Sequence, residues 1–118
     1  MLISYQTSIG GQWVDATSGE RFETDNPYTG KPWALIPRGN AQDVDRAVRA
    51  ARTAFTSGAW PNLTASRRGA LLRKLGDLIA DKAKFLAEIE VRDNGKLIAE
   101  MGAQTAYMAQ WYYYYGGL

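Results

Sequence analysis

There is no cysteine and no histidine among the 118 residues. The first absence excludes disulfides, thiolate nucleophiles and cysteine metal sites. The second removes the commonest general base and the commonest metal ligand together. Neither a Ser-His-Asp nor a Cys-His arrangement can be assembled from this chain. Net charge is scarce too. Fourteen basic against 12 acidic residues leave +2, which gives no electrostatic case for nucleic acid or an anionic membrane. No apolar run approaches the roughly 18–20 residues that span a bilayer. Met1–Gly11 lacks the cationic start and apolar core of a secretory signal. The expected compartment is the cytoplasm. What the composition does supply is globular, with 46% hydrophobic and 22% charged residues, at a length that suits one domain.

The first 39 residues read as extended structure punctuated by turns. Gly10-Gly11 precedes Gln12-Trp13-Val14, Thr17-Ser18-Gly19 is a turn signal, and Arg21–Thr24 ends at Asn26-Pro27. Tyr28-Thr29-Gly30-Lys31 is a second turn, before a short strand over Pro32–Ile36. Such spacing predicts a meander or paired hairpins, too few strands to stand alone. Residues 40–118 read as helical. Asn40 is a good N-cap with Asp43 in the first turn. Val44, Ala47, Val48, Ala51, Ala54 and Phe55 share an arc of about 120°. Ser57-Gly58 and Pro61 end that helix. Thr64 caps a second, with Leu71, Leu72, Leu75, Leu78 and Ile79 as its apolar stripe. Phe85, Leu86 and Ile89 continue an apolar face, on the same helix or on a separate one from near Asp81, that closes at Asn94 or Gly95 in a left-handed cap. The last helix spans about Ile98 to Tyr115. It ends in five consecutive aromatics, Trp111–Tyr115, which point all ways and predict cover by protein on most sides.

Few constellations could carry chemistry. Neither G-x-G-x-x-G nor G-x-x-x-x-G-K-[ST] occurs, so no phosphate-cradling turn is expected. Asp77 and Asp81 share a helix face at i, i+4 beside Lys74 and read as solvated. Arg67, Arg68, Arg73 and Lys74 are followed by Asp77, Asp81 and Glu88, again a mixed, wet face. Arg68 alone falls inside the arc of Leu72, Leu75 and Ile79, where a charge must snorkel or find a partner. A carboxylate or several carbonyls are expected around it. Lys96 reads as the solvated start of a loop.

Taken in order, Ile9-Gly10-Gly11-Gln12-Trp13-Val14, Asn26-Pro27-Tyr28-Thr29-Gly30-Lys31, Asp43–Val48, Ala50–Phe55, Trp60, Arg68, Leu71–Leu75 and Asp93-Asn94-Gly95-Lys96 resemble the opening of an aldehyde dehydrogenase. Tyr114-Tyr115-Gly116-Gly117 stands where that family has an aromatic pair before Ala-Gly. The resemblance runs from about Ser8 to Leu118. Departures are the lack of Asn at Gly10 or Gly11, Arg67 in place of an acid, and Leu97 where proline usually follows.

The resemblance implies an α/β parent with a Rossmann-type coenzyme domain. This segment would be its N-terminal β-hairpin region followed by three to four helices. It implies oxidation of an aldehyde to a carboxylic acid with NAD or NADP, by a homodimer or homotetramer. The catalytic cysteine, glutamate and asparagine and the coenzyme turn would lie downstream. These residues would therefore be inactive alone, with no catalytic or coenzyme-binding residue of their own, and their partner would be the rest of the chain. A monovalent cation near Asp25 and Asp93 is also implied, carboxylate and carbonyl oxygens suiting a hard ion; Asp93 as a helix-end acceptor explains that residue equally. Gly102 and Ala106 align with a substrate entrance, where smallness serves either a bulky aldehyde or close packing. A stand-alone helical assembly module is the competing reading.

Overall fold

The computed structural model describes residues 1–118. They form two compact units, Met1–Asn62 and Leu63–Leu118. Strands come first: β1 (Ile3–Ser4), β2 (Thr7–Ile9), β3 (Gln12–Val14), β4 (Arg21–Asn26) and β5 (Lys31–Pro37). Next come α1 (Ala41–Ser57), a 3₁₀ turn (Trp60–Asn62), α2 (Ala65–Asn94) and α3 (Ile98–Tyr115). The last strand ends at Pro37 and the first helix begins at Ala41. The compact units divide later, because α1 folds with the strands.

In the first unit, β2 and β3 form a hairpin closed by Gly10 and Gly11 at φ 59° and 80°. Two successive left-handed residues match the twist of a tight hairpin, and glycine reaches them without strain. The second sheet has the order β1-β5-β4. β4 and β5 are antiparallel, with a register shift between Thr24 and Asp25. β1 lies parallel to β5, Ile3 opposite Ala34. The sequence reading has no strand there, because two residues carry no periodicity. Arg21 holds β1 in place: its guanidinium donates to Ser4 Oγ at 2.6 Å and the Tyr5 carbonyl at 2.8 Å, and it pairs with Asp15.

Asp43 ties α1 to the loop before β4. Asn40 Oδ1 accepts from the Gln42 and Asp43 amides, and Asp43 Oδ2 accepts from the Asn40 amide at 3.0 Å, a complete capping box. The same carboxylate accepts the Thr17 amide at 3.1 and 3.2 Å. It is buried, at 7% exposure. The Asn40 N–H holds its pKa below the ordinary 3.8; burial opposes that, and the Thr17 bonds and nearby Arg46 add to it. A lowered folded pKa contributes stability that is present above the unfolded value and lost as pH falls through the folded one.

The second unit is an α-helical hairpin. α2 is a single 30-residue helix, so of the two arrangements open past Asp81 the continuous one is found. Ala80-Asp81-Lys82-Ala83-Lys84 contains neither glycine nor proline, and nothing there ends a helix. Thr64 Oγ1 accepts the Arg67 amide, and Gly95, at φ 74°, returns its N–H to Val91 O. The buried residues of α2 are Gly69, Gly76 and Ala87, and those of α3 are Met101, Thr105 and Ala109. Small residues let the two backbones close up. A Cβ on Gly76 would lie 2.7 Å from Tyr113 Cε1, and one on Gly69 would run into the Gly116 carbonyl oxygen. The large apolar side chains stay outside, as with Leu75, Leu78 and Phe85 on α2.

Arg68 departs from expectation. It is half-buried, and the bond shown for it runs to a single carbonyl, Leu63 O at 2.5 Å, one turn back. Asp77 departs as well. It accepts the Tyr113 hydroxyl at 2.8 Å, so its helix face is not simply solvated. That bond, more than burial or the Asp77 charge, raises the Tyr113 pKa above 10.0.

Three outcomes follow from this packing. Asn40→Ala should cost about 1 kcal/mol of stability by denaturant titration. Acid should destabilise the first unit as pH drops below the usual carboxylate range, and Asp43→Asn should flatten that dependence in melts across pH. Gly76→Ala, and Gly69→Ala against rigid backbone, should each cost about 1–3 kcal/mol through overpacking; unchanged melting would refute the tight seam.

Candidate functional site

The candidate site is built on α3. At about 100° per residue, Met101, Thr105, Ala109 and Gly116 fall on the arc facing α2. Ala103, Tyr107, Trp111 and Tyr114 fall on the opposite side. Ala103, Gln104, Tyr107, Met108 and Trp111 line an open hollow of about 620 Å³. A second, of about 310 Å³, continues along Tyr107, Gln110, Trp111 and Tyr114. Tyr107 and Trp111 meet edge to face at 6.0 Å, which fixes both rings. Trp111 and Tyr114 remain 55% and 62% exposed. The lining is apolar and aromatic with two amides, so it can shape and dry a passage but offers no nucleophile or base.

Gly102 and Ala106 flank this surface. Gly102 lies at the edge of the α2-facing arc, yet a Cβ on it would meet nothing within 4 Å. Ala106 is exposed. Gly102 therefore differs from Gly69 and Gly76, because its missing side chain leaves space rather than admitting a neighbour.

Asp25 lies on β4 at the register shift and is exposed; Asp93 is the penultimate residue of α2 and is also exposed. The two belong to different compact units. No group of three or more acidic side chains gathers anywhere in the chain, so an ion here would need backbone carbonyls as well.

The α1 N-terminus, the natural seat for a phosphate, is filled by Asn40 and the Asp43 carboxylate. The first turn of α3 carries Glu100, which repels an anion. No helix is long and apolar enough to cross a membrane.

Comparison with known proteins fits this arrangement. Residues 13–118 match the aldehyde dehydrogenase family. The chain belongs to that family. A lactone dehydrogenase of Acinetobacter baylyi, (Z)-2-((N-methylformamido)methylene)-5-hydroxybutyrolactone dehydrogenase, is 45% identical over 97% of the chain and 23% of its own length. Human mitochondrial aldehyde dehydrogenase is 46% identical over 77% of the chain and 18% of its own length. The fold is similar to part of an NAD-dependent aldehyde dehydrogenase from Sinorhizobium meliloti, with a TM-score of 0.93 at 35% identity over 99% of this chain and 24% of that one. The Bacillus cereus enzyme, solved with NAD⁺, gives 0.92 at 37% identity, over 97% of this chain and 23% of its own. The chain thus spans about a quarter of the length of these aldehyde dehydrogenases.

Behind this surface, sequence reasoning missed the contact that Tyr113 makes with α2. Its signal was present in the tyrosine run, but Asp77 lies 36 residues away on α2, and only the pairing of α2 with α3 reveals it. The open position of Gly102 has a direct consequence. Gly102→Ala should stabilise the fold by about 0.5–1 kcal/mol through helix propensity, the reverse of the seam glycines. Destabilisation in a thermal melt would mean the position is packed after all.

Proposed function

We propose that this chain forms the N-terminal part of an NAD- or NADP-dependent enzyme that oxidises an aldehyde to a carboxylic acid. Unbroken similarity to aldehyde dehydrogenases over residues 13–118 carries the reading. In it, the attacking thiolate, the water-activating glutamate and the oxyanion-holding asparagine are supplied from outside these 118 residues, which hold no cysteine. The coenzyme is held elsewhere too, and it supplies the hydride acceptor when bound. This chain's own contribution is structural and steric. Gly102 and Ala106 open one flank of α3, and Tyr107 and Trp111 wall the other, so that an aldehyde can approach through apolar surroundings. A helical glycine with no neighbour in its missing Cβ position costs stability without improving packing, and space for substrate is the return.

The rest of the chain, and further copies in a homodimer or homotetramer, supply the cover that the large apolar residues want. Val44, Val48 and Phe55 on α1 are 61%, 61% and 67% exposed, well beyond scattered surface residues. The same exposure gives the rival reading, a stand-alone assembly module, its one support.

The full-length protein should reduce NAD or NADP in the presence of an aldehyde, read as nicotinamide absorbance. The 118 residues alone should show none, for want of a thiol. No turnover by the full-length protein over aliphatic and aromatic aldehydes would refute the proposal. Gly102→Leu should raise KM for bulky aldehydes more than for acetaldehyde. Sedimentation separates the rival: a concentration-independent monomer of the 118 residues with cooperative unfolding would favour the module. If Asp25 and Asp93 serve one cation, sodium or potassium should raise the melting temperature of the full-length protein, and Asp93→Asn should abolish that rise.

A further inference from the structure

The end of α2 holds the chain's Asn94-Gly95 pair in a defined geometry. Asn-Gly is the dipeptide in which a side-chain amide is most open to attack by the following backbone nitrogen, since glycine offers no side chain to block it. In free peptide the Gly95 nitrogen would bond to Asn94 Cγ, its proton would pass to water, and ammonia would leave with the old Nδ2. Water then opens the resulting five-membered imide at either carbonyl, giving aspartate or isoaspartate at position 94. The net change is one water consumed and one ammonia released, with no oxidant or catalyst required.

Three hydrogen bonds oppose that step here. Gly95 N–H donates to Val91 O at 2.9 Å, so the attacking nitrogen is committed to the helix cap. Asn94 Nδ2 donates to Glu90 Oε1 at 3.3 Å, and Asn94 Oδ1 accepts the Lys96 amide at 2.9 Å. The carboxamide is thereby tethered through both of its polar atoms, and the nucleophile through its only proton. Asn94 is nevertheless exposed, so water has access once the cap opens.

We propose that Asn94-Gly95 is a latched self-modification site, held unreactive by the α2 cap and released when the last turn frays. Its product adds a carboxylate to the negative end of a helix, beside Glu90 and Asp93, where charge and macrodipole both disfavour it. An isoaspartate also lengthens the backbone by one atom, and the cap cannot re-form. One opening event therefore becomes permanent.

The test uses the full-length protein and the peptide Phe85–Lys96 that lysine-specific digestion excises from it. Both are incubated in ¹⁸O-labelled water at mildly alkaline pH, and modification at position 94 is read by mass spectrometry as label incorporated. Modification in the native protein should run roughly tenfold or more slower than in the peptide, because only the locally opened fraction reacts. Glu90→Ala should move the native rate several-fold toward the peptide's, and Glu90→Gln, which keeps an acceptor oxygen, should leave it slow. Equal rates in protein and peptide would overturn the proposal, as would a Glu90→Ala protein that reacts no faster than wild type. Should Glu90→Ala fail to fold, hydrogen exchange at the wild-type Gly95 amide decides: protection supports the latch, and exchange as fast as in the peptide removes it.

Discussion

The structure depends on how closely α2 and α3 approach, and small residues set that approach. Gly69, Gly76 and Ala87 meet a partner helix whose own buried positions are Met101, Thr105 and Ala109. At such a seam, backbones and short side chains meet, with Met101 and the Tyr113 ring seated among them, and dispersion from close packing does much of what side-chain burial does in ordinary cores. Thr105 fits because its hydroxyl turns back to Met101 O at 2.7 Å, leaving no unmet polar group inside. The same economy of size recurs in the first unit, where Ala34 and Ala16 are the buried apolar residues.

Filling the interior with small residues sends the large ones outward. Leu71, Leu75, Leu78 and Phe85 on α2, and Tyr107, Trp111, Tyr114 and Tyr115 on α3, are all exposed. An amphipathic helix normally turns such residues to the core. Here the hairpin's core and its large apolar face are different faces, which gives each helix two contact surfaces. One is used within the unit. The other is what a longer polypeptide would cover, in keeping with the chain spanning about a quarter of its relatives' length.

Legibility in the sequence followed the range of the interaction. Caps were readable because they join residues three or four apart: Asn40 with Asp43, Thr64 with Arg67, Gly95 with Val91. Helix limits followed, and α3 runs Ile98–Tyr115 as the pattern predicts. Apolar stripes were found in the right places on α1 and α2 but do not mark the interior, because periodicity says which residues share a face and not which face is covered first. Interactions across the chain were the ones missed. The Thr17 amide on Asp43, β1 beside β5 and the Tyr113 hydroxyl on Asp77 join residues 26 or more apart. The Arg68 expectation failed differently: its guanidinium folds back to Leu63 O, a local solution that needs no carboxylate.

The candidate site shows the same limit. Gly102 and Ala106 were singled out by alignment with a family, and smallness alone left packing and vacancy undecided. Comparing the glycines of one hairpin shows which of them pack within these residues. A Cβ at Gly76 collides with a ring, one at Gly69 with a carbonyl, and one at Gly102 with nothing. Three helical glycines of equal intrinsic cost thus divide into two that are repaid by contact and one that is not. Within these 118 residues nothing packs on position 102, so the reason for glycine there lies in what meets this flank of α3 from outside them, an approaching substrate or the polypeptide that covers it.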